Sequence, residues 1–190
     1  MSTDNEKEYD FTLILTGITP DTEDVEDKLI EAGCDDATLA FRSGRPVLTF
    51  SRRSKTLLSA IISAILDVRK AGIGADVLRV ETCNLVTISE IARRSGRHRQ
   101  VVHQYMRGQR GPGGFPGPVC ELGPGHWLWR WCEVAYWMYT HDMIKEELLQ
   151  ESREIEIVNG VLEMEFLKKQ DAALTREIVL EVGTICEPCQ

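Results

Sequence analysis

The sequence predicts an α+β fold in three parts, on three observations. Between Tyr9 and Glu81 the apolar pattern changes period in the order strand, helix, strand, strand, helix, strand. From Val86 to Arg130 two short helical patterns meet at a glycine, and a Gly/Pro-rich stretch and a tryptophan-bearing strand follow. Beyond His141 the chain is rich in Glu, Leu and Lys, which favour helix.

Taken in order, residues 1–8 are polar and acidic and read as a disordered tail. Tyr9, Phe11, Leu13 and Leu15 alternate at strand period, and Gly17 and Pro20 end the run. Val25, Leu29 and Ala32 line one face of a helix that Gly33 stops. DATLAF and VLTFS form a hairpin around RSGRP. Ser54 is placed to cap a second helix, whose apolar stripe is Leu57, Leu58, Ile61, Ile62, Ile65, Leu66 and Val68, ending at Gly72. ADVLRVE is a fourth strand. This order is the ferredoxin-like split βαβ arrangement, expected over 9–82. No catalytic constellation stands out in it. Asp35 and Asp36 read as solvated loop acids, and Arg52, Arg53 and Lys55 as a solvated cluster at a turn. AGIGAD lacks the Lys-Ser/Thr ending of a phosphate loop. The link to the next part has no flexible run, so Val80, Leu85 and Val86 are expected to seal a contact between the two.

Over 83–141 the pattern is that of a winged helix-turn-helix. Thr87 or Ser89 caps a first helix with Glu90 in its first turn, where the dipole favours an acid. Ile88, Ile91 and Ala92 share a buried face, and Gly96 supplies a tight left-handed bend. A second helix over 97–107 turns Val102, Tyr105 and Met106 inward. His98, Arg99, Gln100, His103 and Gln104 then face outward; Gln pairs bidentately with adenine and Arg with guanine, so these are the base-reading candidates. Arg93, Arg94, Arg97, Arg107, Arg110 and, beyond the wing, Arg130 are the phosphate candidates. Thr87 to Arg110 holds six arginines and one acid, a local charge of +5 in a chain of −8. A basic island on an acidic protein is the footprint of a polyanion site. GQRGPGGFPGP can be neither helix nor central strand, and PVCEL and HWLWRW form a wing hairpin around GPG. Trp127, Trp129 and Trp131 share one strand face, and packing beneath the wing is preferred to stacking on bases. A helix from Cys132 to about Thr140 buries Val134, Trp137 and Met138.

The residues ISEIARRSGRHRQVVHQYMRG, FPGPV and LWRWCEVAYWM resemble the winged helix-turn-helix of MerR-type regulators and phage excisionases. That resemblance implies a wing that begins at FPGPV and closes with the WRW strand, a short helix beneath it, and binding to double-stranded DNA. The GPGG insert makes this wing longer than the simplest excisionase pattern.

The region 142–190 is acidic and expected to be helical, for dimerisation or partner binding. EIEIVNGVLEMEF reads either as helix or as a hairpin around Asn159-Gly160; helix is preferred, because the hairpin would set Glu156 opposite Glu163. TREIVLEV is a further helix ending at Gly183, with Leu174, Ile178 and Val179 on a docking face.

The composition sets further bounds. No apolar run approaches the ~20 residues that span a bilayer, and MSTDNEKEYD does not resemble a secretory signal, so a cytoplasmic protein with free thiols is expected. Cys186 and Cys189 form a single CxxC with no second pair nearby, so neither metal nor cofactor is expected. The reading is a sequence-specific, double-stranded DNA-binding transcriptional regulator that acts as a dimer and not an enzyme. A protein-interaction adaptor, or an antitoxin-like binder using the acidic C-terminal helices, is the alternative.

Overall fold

Strand β1 (Lys7–Thr16) runs down the middle of a four-stranded antiparallel sheet, with β3 (Arg45–Ser54) on one side and β4 (Asp76–Val80) on the other. Strand β2 (Ala37–Arg42) pairs with β3 at the edge, giving the order β2-β3-β1-β4. The computed structural model describes residues 6–82 and 84–182. Alternation fixes the inner face: Phe11, Leu13 and Leu15 of β1 and Leu48 and Phe50 of β3 are buried. Helices α1 (Val25–Ala32) and α2 (Leu57–Lys70) cover it with Val25, Leu29, Ile61, Ile65 and Val68.

Several details differ from the sequence reading. Strand β1 begins at Lys7, inside the stretch read as a tail, because Lys7 and Glu8 extend the ladder opposite Ser54 and Arg53. Thr56, not Ser54, caps α2 by accepting from the Ser59 amide, since Ser54 is still in β3. The hairpin turn shrinks to Ser43 and Gly44, both left-handed, as two-residue hairpins require. Ile62 and Leu66 face outward, so the buried stripe of α2 is narrower than read and uses Ala60 and Ala64.

Arg52 is not solvated. It follows Leu48 and Phe50 in strand parity, so its side chain enters the helix-covered face. Its guanidinium lies over the Phe50 ring. It donates to Asp36 (2.7 and 2.9 Å), to Asp67 (2.7 Å), to Ser63 (3.0 Å) and to the Gly33 carbonyl (2.7 Å). Asp36 is therefore an ion-pair partner of Arg52, while Asp35 stays exposed. The planar fork of arginine suits this bidentate clamp, which ties β3 to α2 and to the end of α1. Beside it the buried Cys34 thiol is pushed up to about 11, chiefly by burial.

The second half of the described chain has its own core. Strand β5 (Leu85–Val86) pairs with β7 (Trp127–Arg130), which pairs with β6 (Cys120–Glu121). Helices α3 (Ile88–Arg94), α4 (Arg99–Met106) and α5 (Trp131–Thr140) pack on this small sheet. The long α6 (Glu146–Gln170) then serves both cores: Leu149 is buried with the second, Ile155 and Leu162 with the first. A last helix, α7 (Ala172–Val182), follows Asp171, whose carboxylate accepts from the Leu174 amide. This gives seven helices and two antiparallel sheets among the described residues.

Residues 154–166 are helical throughout, with Asn159 and Gly160 inside α6. Asn159 is buried because it serves the link between the halves. Its Oδ1 accepts from the Val80 amide (2.8 Å), and its Nδ2 donates to Asn84 Oδ1 (3.0 Å) and to the Val80 and Thr82 carbonyls (both 3.4 Å). It satisfies the backbone where β4 ends and its ladder stops, a group that would be costly to leave unpaired. Val80 belongs to the first core and Val86 to the second, while Leu85 is exposed and seals nothing. Ion pairs of Arg69 with Glu165 and Lys169 with Asp76 fasten the far end of α6 to the first half. No described helix is long and apolar enough to cross a membrane. Cys83, Cys186, Cys189 and Gly183 lie outside the described residues.

Removing Arg52 strands two carboxylates in a partly buried site. Arg52→Ala is expected to lower unfolding free energy by about 3–5 kcal/mol, and Arg53→Ala, exposed on the next position, by about 0.5 kcal/mol or less. Urea unfolding followed by tryptophan fluorescence measures both; equal effects would contradict the clamp.

Candidate nucleic-acid interface

Thr87 caps α3 through a hydrogen bond from the Glu90 amide (3.3 Å), the first of the two caps considered from sequence. Ile91 and Ala92 are buried, and α3 ends at Ser95. Gly96 has φ +64, and the Arg97 amide returns to the Ala92 carbonyl (2.9 Å). A Cβ on Gly96 would meet nothing within 4 Å. The glycine is therefore needed for its left-handed backbone, the tight bend expected from sequence, and not to clear space for a neighbour.

His98 is the residue before the first turn of α4, so it sits at the helix entrance instead of on its face. Val102 and Tyr105 are buried beneath the helix. Arg99, Gln100, His103, Gln104 and Arg107 span about 140° of arc at roughly 100° per residue, one continuous outer face. Arg99, Gln100, His103 and Arg107 are exposed and Gln104 is half-buried. Four of the five base-reading candidates thus lie on one face, with His98 at its entrance, and Arg107 joins them as the C-terminal neighbour.

The phosphate candidates separate into two groups. Arg107 and Arg110 are exposed and carry no ion pair among the described residues, and Arg99 shares that state. Arg93 is exposed but gives a two-pronged hydrogen bond to Glu90 (2.9 and 2.6 Å). Arg94 is turned inward: its side chain is 9% exposed, it donates to Glu90 (2.7 Å), and its guanidinium lies over the Trp131 ring. Arg97 donates to the Tyr105 hydroxyl (3.4 Å) and to the Met143 carbonyl (3.3 Å), tying α4 to the segment before α6. Arg130 pairs with Glu156 (3.0 Å) and lies near Glu133, so it faces α6. Arg94 and Arg97 are therefore internal fasteners, a correction to their reading as phosphate contacts, whereas Arg130 stays exposed but is engaged by two carboxylates. The i,i+4 spacing of Glu90 and Arg94 was a visible signal for one of these. Trp131 and Met143 are brought in only by the fold.

Beneath α4 an aromatic core replaces a regular scaffold. Tyr105, Phe115, Trp129 and Trp137 pack edge to face or tilted, with centroids 5.0–6.4 Å apart. The Trp129 indole donates to the Pro116 carbonyl (3.0 Å) and the Trp137 indole to the Gly113 carbonyl (2.9 Å). These two bonds pin the Gly/Pro-rich segment after α4. Gly111, at φ +82, passes so close to Tyr105 that a Cβ would stand 2.9 Å from its ring. The β6–β7 hairpin itself is small. Val119 and Leu122 extend the β6–β7 pairing by backbone bonds to Leu128 and His126. Trp129 and Trp131 are buried and Trp127 half-buried against Trp129. Trp131 opens α5 instead of closing the strand, so the three tryptophans pack the core, and Trp129 and Trp131 offer no stacking surface.

Glu90 serves two arginines, and the Arg93 hydrogen bond above all holds its carboxyl down at about 2, against an ordinary 4.5. A depressed carboxyl stabilises the fold above its unfolded value and loses that contribution as pH falls through its folded value. Glu90→Gln is therefore expected to melt below the parent at neutral pH, with the gap closing between about 4.5 and about 2. Thermal melts across that range test it; a gap unchanged through the window would contradict the assignment.

Comparison with known proteins finds no matching family model, no matching curated protein and no matching solved structure.

Proposed function

We propose that this chain is a sequence-specific, double-stranded DNA-binding transcriptional regulator that reads a major groove with α4. The observation that carries the proposal is the outer face of α4. Arg99, Gln100, His103 and Arg107 stand exposed over a rigid aromatic core, with Gln104 at their border. Donor-and-acceptor side chains on a helix face are what base edges in the major groove accept. Arg107 and Arg110 contact backbone phosphates at the helix end and beyond, and Arg93 does so where a phosphate displaces Glu90. The arrangement of a ferredoxin-like part, a winged helix-turn-helix and C-terminal helices belongs to this reading, as does the resemblance to MerR-type regulators and excisionases. A single such helix gives limited affinity, so the regulator works as a dimer on two half-sites.

The adaptor reading draws on one observation, the exposed apolar residues of α6 and α7. The two readings part on charge. An adaptor of net −8 flows through a heparin column at low salt, whereas the regulator is retained by its local cations.

Fluorescence anisotropy with labelled duplex across a salt series tests the assignment. Arg107→Ala and Arg110→Ala are each expected to weaken all sequences and to shallow the salt dependence by about one. Gln100→Ala and Gln104→Ala alter base preference and leave that slope in place. Arg94→Ala destabilises the protein without changing the slope. A double Arg107/Arg110 variant that binds random duplex as tightly as the parent at low salt overturns the placement.

A further inference from the structure

Seventeen large apolar residues are exposed among the described residues, and more than half of them lie on α6 and α7. On α6, Ile157, Val161 and Met164 recur at i, i+4 and i+7 on the side opposite the buried Ile155 and Leu162. After the break at Asp171 the stripe resumes on α7 with Leu174, Ile178 and Val182. These six are between 47% and 75% exposed. Helix α7 buries none of its residues. An 11-residue helix is marginal alone in water and ordinarily gains its stability from a packed apolar face.

We infer that a second copy of this chain covers the C-terminal half of α6 and α7, making a two-fold dimer through these helices. Three features select a second copy. The six side chains expose on the order of 600 Å² of largely apolar surface, at the upper limit for a monomer, and a polar rim brings this close to the ~800 Å² per partner of a stable interface. The flanking charges are of both signs, Lys168 beside the α6 stripe against Glu177 and Glu181 beside that of α7. A two-fold interface meets its own image, so a patch of one sign would repel itself whereas this one complements itself. The third feature rests on the DNA-binding reading: one recognition helix per chain calls for a second on the neighbouring half-site.

The mass of the full chain, measured by sedimentation equilibrium without DNA at tens of micromolar, tests this. The parent is expected to sediment at twice the chain mass, and the Leu174→Glu/Ile178→Glu double variant as a monomer. The variant is expected to keep the parent's circular dichroism apart from the share of α7, because neither side chain is buried in the chain's own cores. A monomeric parent overturns the proposal, as does a variant that dimerises like the parent. If the variant loses its helix signal, hydrogen exchange of the parent decides. Protection of α7 amides that rises with concentration supports the interface; protection independent of concentration overturns it. Because DNA is absent, a monomeric parent leaves the helix-turn-helix assignment standing, and a dimer that binds no duplex sinks that assignment alone.

Discussion

The surface proposed to meet DNA depends on two indole hydrogen bonds. The segment from Gly108 to Pro118 is too rich in glycine and proline to hydrogen-bond itself into a regular element. Trp129 and Trp137 each supply one donor to its backbone and one broad ring to its underside. Held there, the segment closes over Tyr105 and packs its own Phe115 against both indoles, and α4 rests on a packed base. Without those donors the segment would carry the entropy of a long loop, and the outer face of α4 would lack a fixed orientation. Interface precision comes from rigid support of this kind more than from the exposed residues themselves.

A second constraint is electrostatic. The arginine island is not one cationic surface, because the fold uses half of it. Arg94 and Arg97 brace α3 and α4 against their neighbours, and Glu90 neutralises part of what remains. The cations left facing water, Arg99, Arg107 and Arg110, cluster on and just beyond α4. Arg130, on the far side of the small sheet, is engaged by the acidic α6. The chain's excess of acid lies on both sides of this island, 15 acids against 10 bases over 1–86 and 12 against 5 over 142–190, while the exposed face of α4 stays cationic.

Much of this was legible in the sequence. Period-2 and period-3.6 patterns located the six elements of the first half, because each is amphipathic against one core. Thr87 and Gly96 marked the helix ends by local chemistry, which needs no tertiary context. Other features escaped for physical reasons. Arg52 shares strand parity with Leu48 and Phe50, so alternation alone placed it inward; its charge argued for solvent, and only the convergence of Asp36 and Asp67 resolves that conflict. Helix is the preferred reading over a hairpin at Asn159-Gly160 and a helix forms, but the burial of Asn159 there serves β4 and the link, a non-local demand that the local pattern does not display. Arg94 and Arg97 went unrecognised as fasteners because Trp131 and Met143 reach them from more than thirty residues away.

The central claim is that α4 presents a sequence-reading face to duplex DNA. Selection of bound sequences from a random duplex pool by the full-length protein examines it most directly. The account predicts enrichment of a motif arranged as two inverted half-sites, spaced by about one helical turn of 10–10.5 base pairs or a multiple of it. A bound pool as random as the input, or no bound pool at low salt, would contradict it.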